Sequence, residues 1–259
     1  MKRLKYFDII LNRKVCSVKN REENEMDKYL YVRENYSRLI REVEEYERLF
    51  GRRITVVAVT KSGTDEELVE LVKAGASDIG ENRPGELKRR KELLEAHGLY
   101  PRLHEIGNLQ RNKVKLVIDK AHLIHSVDKP ELAAEIGKQA ERLGITVPVL
   151  IEINSAEEPN KGGALPEDAE DLFLACREIR GISVAGIMTM GPALEDSEAM
   201  RPYFRLTRQI FDRINEKYGF AGEGVLSMGM SDSYAVAIEE GSTLIRVGRK
   251  LFEKNEGRI

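Results

Sequence analysis

Apolar positions along the chain follow two periods in turn. From Met26 to Phe50 they fall three and four apart, at Val32, Tyr36, Leu39, Val43 and Tyr46 among others, and so draw one apolar stripe along a strongly charged helix. After Phe50, short β-branched or apolar runs occur at 54–60, 77–81, 102–106, 122–127, 147–153, 182–189, 225–229 and 243–248. Helical patterns fill the gaps, around 64–75, 83–97, 109–118, 129–143, 166–180, 197–218 and 231–240. The first of these has capping-box spacing at Thr64 and Glu67, and Gly75 ends it. Strands that alternate with helices imply a parallel sheet. Eight such units fit a single closed (β/α)8 barrel of the TIM type, preceded by an N-terminal helix. An open doubly wound sheet is the alternative, and it usually carries a Gly-rich turn after its first strand. Here that turn reads "TKSGTDEE", with one glycine. The barrel is favoured.

Residues 1–25 show no persistent period and read as a loosely ordered extension, or as sequence upstream of a truer start at Met26. Residues 26–259 read as one barrel domain. The first apolar stretch is short and broken by Asp8, and no later run nears the ~18 apolar residues of a membrane span, so neither a signal peptide nor a membrane segment is expected. Lys and Arg total 42 against 44 Asp and Glu, which excludes a nucleic-acid surface built on bulk charge. Two cysteines far apart, Cys16 and Cys176, match no metal-ligand spacing and point to a reducing, cytoplasmic setting.

The active face of such a barrel is built from the C-terminal strand ends and the loops behind them. In order these are Lys61, Glu81 with Asn82, His104 to Gly107, His125 to Asp128, Asn154, Thr189 with Met190, Ser227 through Ser231, and Arg246 with Gly248. The set lacks the carboxylate cluster of a divalent-metal site. The loops after strands 7 and 8, "SMGMSDS" and "RVGRK", stand where such barrels often bind phosphate. Gly229 and Gly248 would let backbone N–H groups approach an anion, Ser227 offers a hydroxyl, and Ser231 reads as the N-cap of the next helix. Asp232 is an objection to an anion there unless it faces solvent. Strand 8 neighbours strand 1 in a closed barrel, so Lys61 lies beside this cradle. An amine next to a phosphate cradle suits an aldehyde cofactor carrying a phosphate, the amine condensing with the aldehyde. Alone, each feature has a plainer reading: a solvated strand end, a tight turn.

The strings "VVAVTK", "DIGEN", "HEIGNLQRNKVK", "IHSVD", "GIMTMGP", "RPYF" and "LSMGMSDSYAVAIEEGSTLIRVG" together resemble the pyridoxal 5′-phosphate (PLP) homeostasis proteins, the YggS/PROSC type, related to the N-terminal domain of alanine racemase. The resemblance runs from about Met26 to Phe252. It implies that Lys61 holds PLP as a Schiff base and that Asn82 lies beside the cofactor. It further implies that Ser227 and the backbone around Gly248 and Arg249 hold the phosphate, and that Arg246 faces the pyridine nitrogen. His104 and Met190 would lie near the ring. Two positions depart from the pattern. Glu105 stands where the family usually has an aromatic, and strand alternation points it away from the side His104 faces. Arg249 stands where many members have threonine, which removes a hydroxyl and adds a cation.

A guanidinium opposite the pyridine nitrogen can only donate, so it weakens the electron sink that carbanion chemistry uses. Few residues follow Arg246, too few for the second domain that supplies a racemase with its other base. The expectation is a PLP-binding carrier and regulator with PLP-dependent apo-enzymes as recipients, a monomer or weak dimer, rather than an enzyme. The alternatives are a small PLP-dependent amino-acid racemase and, further off, an aldolase-like barrel using Lys61 toward a sugar phosphate. "EINSAEEPNKGGALPED" reads as a mobile loop, and no ligand role is assigned to its Lys161.

Overall fold

The computed structural model describes residues 28–254, and the expected extension over 1–25 lies outside them. The first element among the described residues is α1 (Leu30–Phe50), whose buried face of Val32, Tyr36, Leu39 and Val43 is the stripe read from the sequence. Eight parallel strands follow: β1 (Thr55–Val59), β2 (Asp78–Glu81), β3 (Arg102–Glu105), β4 (Leu123–Val127), β5 (Val147–Ile153), β6 (Ile182–Thr189), β7 (Val225–Ser227) and β8 (Leu244–Val247). They close in sequence order, with β1 pairing β8 from Thr55↔Leu244 to Ala58↔Val247. The helices between them are α2 (Asp65–Lys73), α3 (Pro84–Ala96), α4 (Pro130–Leu143), α5 (Ala169–Arg177), α6 (Arg201–Tyr218) and α7 (Tyr234–Glu239), with α8 (Arg249–Phe252) after β8. The chain is a (β/α)8 barrel with an N-terminal helix. Among the described residues, no helix is long and apolar enough to cross a membrane.

Three elements differ from their sequence reading. The segment expected as a helix over 109–118 is a 3-10 helix, Arg111–Leu116. Strand β7 stops at Ser227, two residues early, and α7 begins only at Tyr234. Ser231 is therefore not an N-cap; its hydroxyl accepts the Gly248 N–H at 3.2 Å instead. A short strand and a short helix leave residues 228–233 as a loop tied to β8, which periodicity does not register. The Thr64–Glu67 capping box forms as expected, with Glu67 N–H donating to Thr64 Oγ1 at 3.2 Å and Thr64 N–H to Glu67 Oε2 at 2.7 Å.

Strand alternation divides the side chains into two cores. Outward positions such as Ala58, Ile79, Leu103, Ile124, Ile151 and Ile245 pack under the helices in the larger apolar cluster. Inward positions make a small cluster of Val57, Leu123, Leu150, Ala185, Met188 and Leu244. The rest of the interior is polar, with Asp78, His104, His125, Ser227 and Arg246 all buried. Because α8 has only four residues, α1 completes the outer ring there, packing on α8 and α2. Asn35 Nδ2 donates to the Glu253 carbonyl at 2.9 Å across this contact.

Candidate functional site

One cavity of about 750 Å³ opens at the C-terminal ends of the strands. Lys61 lines it from the loop after β1 and is exposed. That loop is fixed from α3, where the buried Arg90 donates from Nη2 to the Gly63 carbonyl at 2.8 Å and pairs with Asp65. Asn82 lines the next sector, after β2. Its backbone is met so closely by the loop after β3 that only glycine fits at position 107: a β-carbon there would lie 2.1 Å from the Asn82 carbonyl oxygen.

Arg246 reaches the cavity from β8 and is 3% exposed. Its Nη1 donates to Ser227 Oγ at 2.5 Å, and its Nη2 donates to the Thr189 carbonyl at 2.9 Å and to Met190 Sδ at 3.6 Å. A guanidinium has five N–H groups, and these bonds use three of them. Burial pushes Arg246 down to about 10, which leaves it a cation at neutral pH. Across from it, Glu152 is pushed up to about 7 by burial and by the neighbouring charge of Asp128, while Arg246 pulls the other way. The wall after β7 and β8 carries Ser231, Gly248 and Arg249. Arg249 pairs with Asp232, so the carboxylate that would repel an anion is neutralised in place. Lys161, from the loop after β5, lines the cavity and donates to the Gly191 carbonyl at 3.1 Å, joining that loop to the one after β6.

Comparison with known proteins follows the same outline. Residues 35–255 match the family described as alanine racemase, N-terminal domain. A pyridoxal phosphate homeostasis protein of Aquifex aeolicus is 42% identical over 197 residues, 76% of this chain and 85% of that one. The chain belongs to this family. PipY of Synechococcus elongatus, solved without PLP, superposes with a TM-score of 0.77 at 26% identity, covering 86% of this chain and all, 100%, of that one. PipY solved with PLP bound gives 0.75 at 24% identity, with 86% and 100% covered.

Of the residues picked from the sequence, the fold brings Lys61, Asn82, Met190, Arg246, Gly248 and Arg249 to the one cavity. Ser227 and His104 are not on its wall. Both are buried in the barrel interior, Ser227 directly beneath Arg246 and His104 deeper still. Gly248 spends its N–H on Ser231. Glu105 points away from His104 as alternation requires, into the layer between strand and helix, where it is fully buried. Its Oε1 accepts the Gly107 N–H at 3.2 Å and its Oε2 has no partner. Sequence reasoning passed over Glu152 as a wall residue. The signal was there: in "VPVLIEI" it is the single charge in an apolar strand, two residues past the inward-facing Leu150 and thus on the same face.

Proposed function

We propose that this chain binds PLP, holds it as a Schiff base on Lys61, and serves cytoplasmic PLP homeostasis by carrying the cofactor rather than by turning over a substrate. The observation that carries the reading is a single cavity lined by both Lys61 and the buried Arg246, whose guanidinium is held by Ser227, Thr189 and Met190. The residues fit the group. PLP supplies an aldehyde to an amine, and electron withdrawal through its ring when the ring nitrogen is protonated. Arg246 can only donate to that nitrogen, so it binds and orients the ring while denying it a proton. Ser231, on the wall, takes the hydroxyl role expected of Ser227, and Arg249 completes the phosphate end, with Gly248 leaving room for close approach while its N–H holds Ser231 in place. Recipient apo-enzymes and a monomer or weak dimer belong to the same proposal, as does one barrel domain over residues 26–259.

Incubation with PLP, borohydride reduction and peptide mapping test it. Stoichiometric phosphopyridoxyl label on Lys61, lost in Lys61→Ala, is the expected result. Label scattered over surface lysines with Lys61 bare sinks the reading. Turnover of amino acids that disappears in Lys61→Ala would favour the racemase instead.

Arg249→Ala is expected to weaken PLP binding about threefold to tenfold, the worth of one exposed charge near the phosphate plus the release of Asp232 from its partner. Fluorescence titration at two salt concentrations checks this; an unchanged Kd at low salt places the phosphate elsewhere.

A further inference from the structure

Beneath Arg246 the barrel interior contains a continuous line of hydrogen bonds. Ser227 Oγ lies 3.1 Å from His125 Nδ1, and His125 Nε2 lies 3.0 Å from His104 Nδ1. His104 Nε2 lies 2.9 Å from Asp78 Oδ1. Asp78 Oδ2 accepts from Arg102 at 2.6 Å, at the start of β3 and the opposite end of the barrel, where half the Arg102 side chain is in solvent. Asp78, His104, His125, Ser227 and Arg246 are each at most 3% exposed.

The two ends decide the direction of every bond between them. Arg246 has donors and no acceptor. Asp78 is a carboxylate: burial opposes its ionisation, but hydrogen bonds from His104, Arg102 and Ser77 outweigh that and hold it well below the usual carboxylate range. His104 then donates from Nε2, and the Ser227 hydroxyl, already accepting from Arg246, has His125 Nδ1 left as the partner for its proton, so that His104 Nδ1 is an acceptor. His125 donates to it from Nε2 and accepts at Nδ1. Ser227 turns its lone pairs to Arg246. All bonds run one way, and each polarises the next. His125 is kept neutral by burial first, and the Arg246 charge acts in the same direction. Two further groups face this line: His122, an exposed ring edge-on against His104 at 5.7 Å, and Tyr36, whose phenol is raised by burial and by the Asp78 charge.

We propose that Asp78, His104, His125 and Ser227 are positioning residues for Arg246: a one-way hydrogen-bond chain that fixes which N–H groups the guanidinium turns toward the cavity, and so how the PLP ring is held. The second half of this rests on the reading above. Its most remote test is His104→Gln, which touches neither the cavity nor Arg246. On nitrogen-15 NMR of the ligand-free parent, both His104 and His125 are expected to carry the proton at Nε2 and none at Nδ1. In His104→Gln loaded with PLP, borohydride label on Lys61 is expected to persist while the ratio of the bound cofactor's absorption bands changes and Kd rises about tenfold. Asp78→Asn, which keeps an acceptor oxygen, is expected to show a smaller change of the same sign.

Protonation at Nδ1 of either ring overturns the chain. So does a folded His104→Gln with the parent's spectrum and Kd. If neither variant folds, the NMR tautomers decide alone. Absence of label on Lys61 in the parent sinks the PLP reading but leaves the tautomers as the judge of the chain.

Discussion

Replacing Glu105 with leucine is expected to raise stability by about 2 kcal/mol at pH 7, and by more at pH 8. Burial pushes this carboxyl up to about 8; the Gly107 N–H pulls it down and the nearby Glu81 charge adds to the rise. The folded value lies above the unfolded one, so the folded state holds the proton more tightly. Stability is therefore undiminished below the unfolded value of 4.5 and falls as pH climbs toward 8. At ~1.4 kcal/mol per pH unit the loss by pH 7 is about 3 kcal/mol, and leucine, losing the Gly107 hydrogen bond, gives back about 1. Urea unfolding of both proteins at pH 5 and pH 8 checks this. A stability difference that is the same at both pH values means that Glu105 does not titrate there.

Gly107→Ala is expected to cost about 3 kcal/mol and to weaken PLP binding with it. The added carbon would lie 2.1 Å from the Asn82 carbonyl oxygen and 2.8 Å from its Cα. Both are backbone atoms, so no rotamer change relieves the contact, and the loops after β2 and β3 must part. Asn82 moves with them, out of its place on the cavity wall. Thermal unfolding and a PLP titration report the two effects separately. A parental Tm contradicts the expected cost, and a parental Kd means that Asn82 has kept its place.

A three-and-four period places α1 and α2, each of which buries one face, and continuous apolar or β-branched runs place the eight strands, which are buried on both faces. These patterns did not separate the levels within the barrel. His104, Ser227 and Arg246 are all inward residues, and alternation alone treats them alike; the register among eight strands decides that Arg246 meets the cavity while Ser227 and His104 lie under it. The loop 228–233 escaped for a different reason. Its shape comes from hydrogen bonds of Ser231 and Ser233 to backbone, Gly248 N–H in one case and Met230 N–H in the other, and the first joins segments far apart in sequence. Lys61 was legible because a lysine closing a β-branched run is conspicuous. Asn82 was read from its motif, and its fixing by Gly107 is visible only in three dimensions.

The contact between α1 and the segment around α8 bears on how the chain comes to fold during synthesis. Asn35 bonds to the carbonyls of Leu251 and Glu253, across 216 and 218 residues of sequence. Helix α1 leaves the ribosome among the earliest of the described elements, yet its apolar face has no partner near α8 until almost the last. Until then α1 has its packing on α2 to hold it, with Tyr36 Oη donating to the Gly75 carbonyl at 3.2 Å, and the β1–β8 seam cannot shut. A contact this non-local forms late, once the rest of the barrel has brought the two ends of the chain together. Refolding rates should therefore respond to changes at Asn35 far less than unfolding rates do, since the clasp is made after the rate-limiting barrier rather than before it.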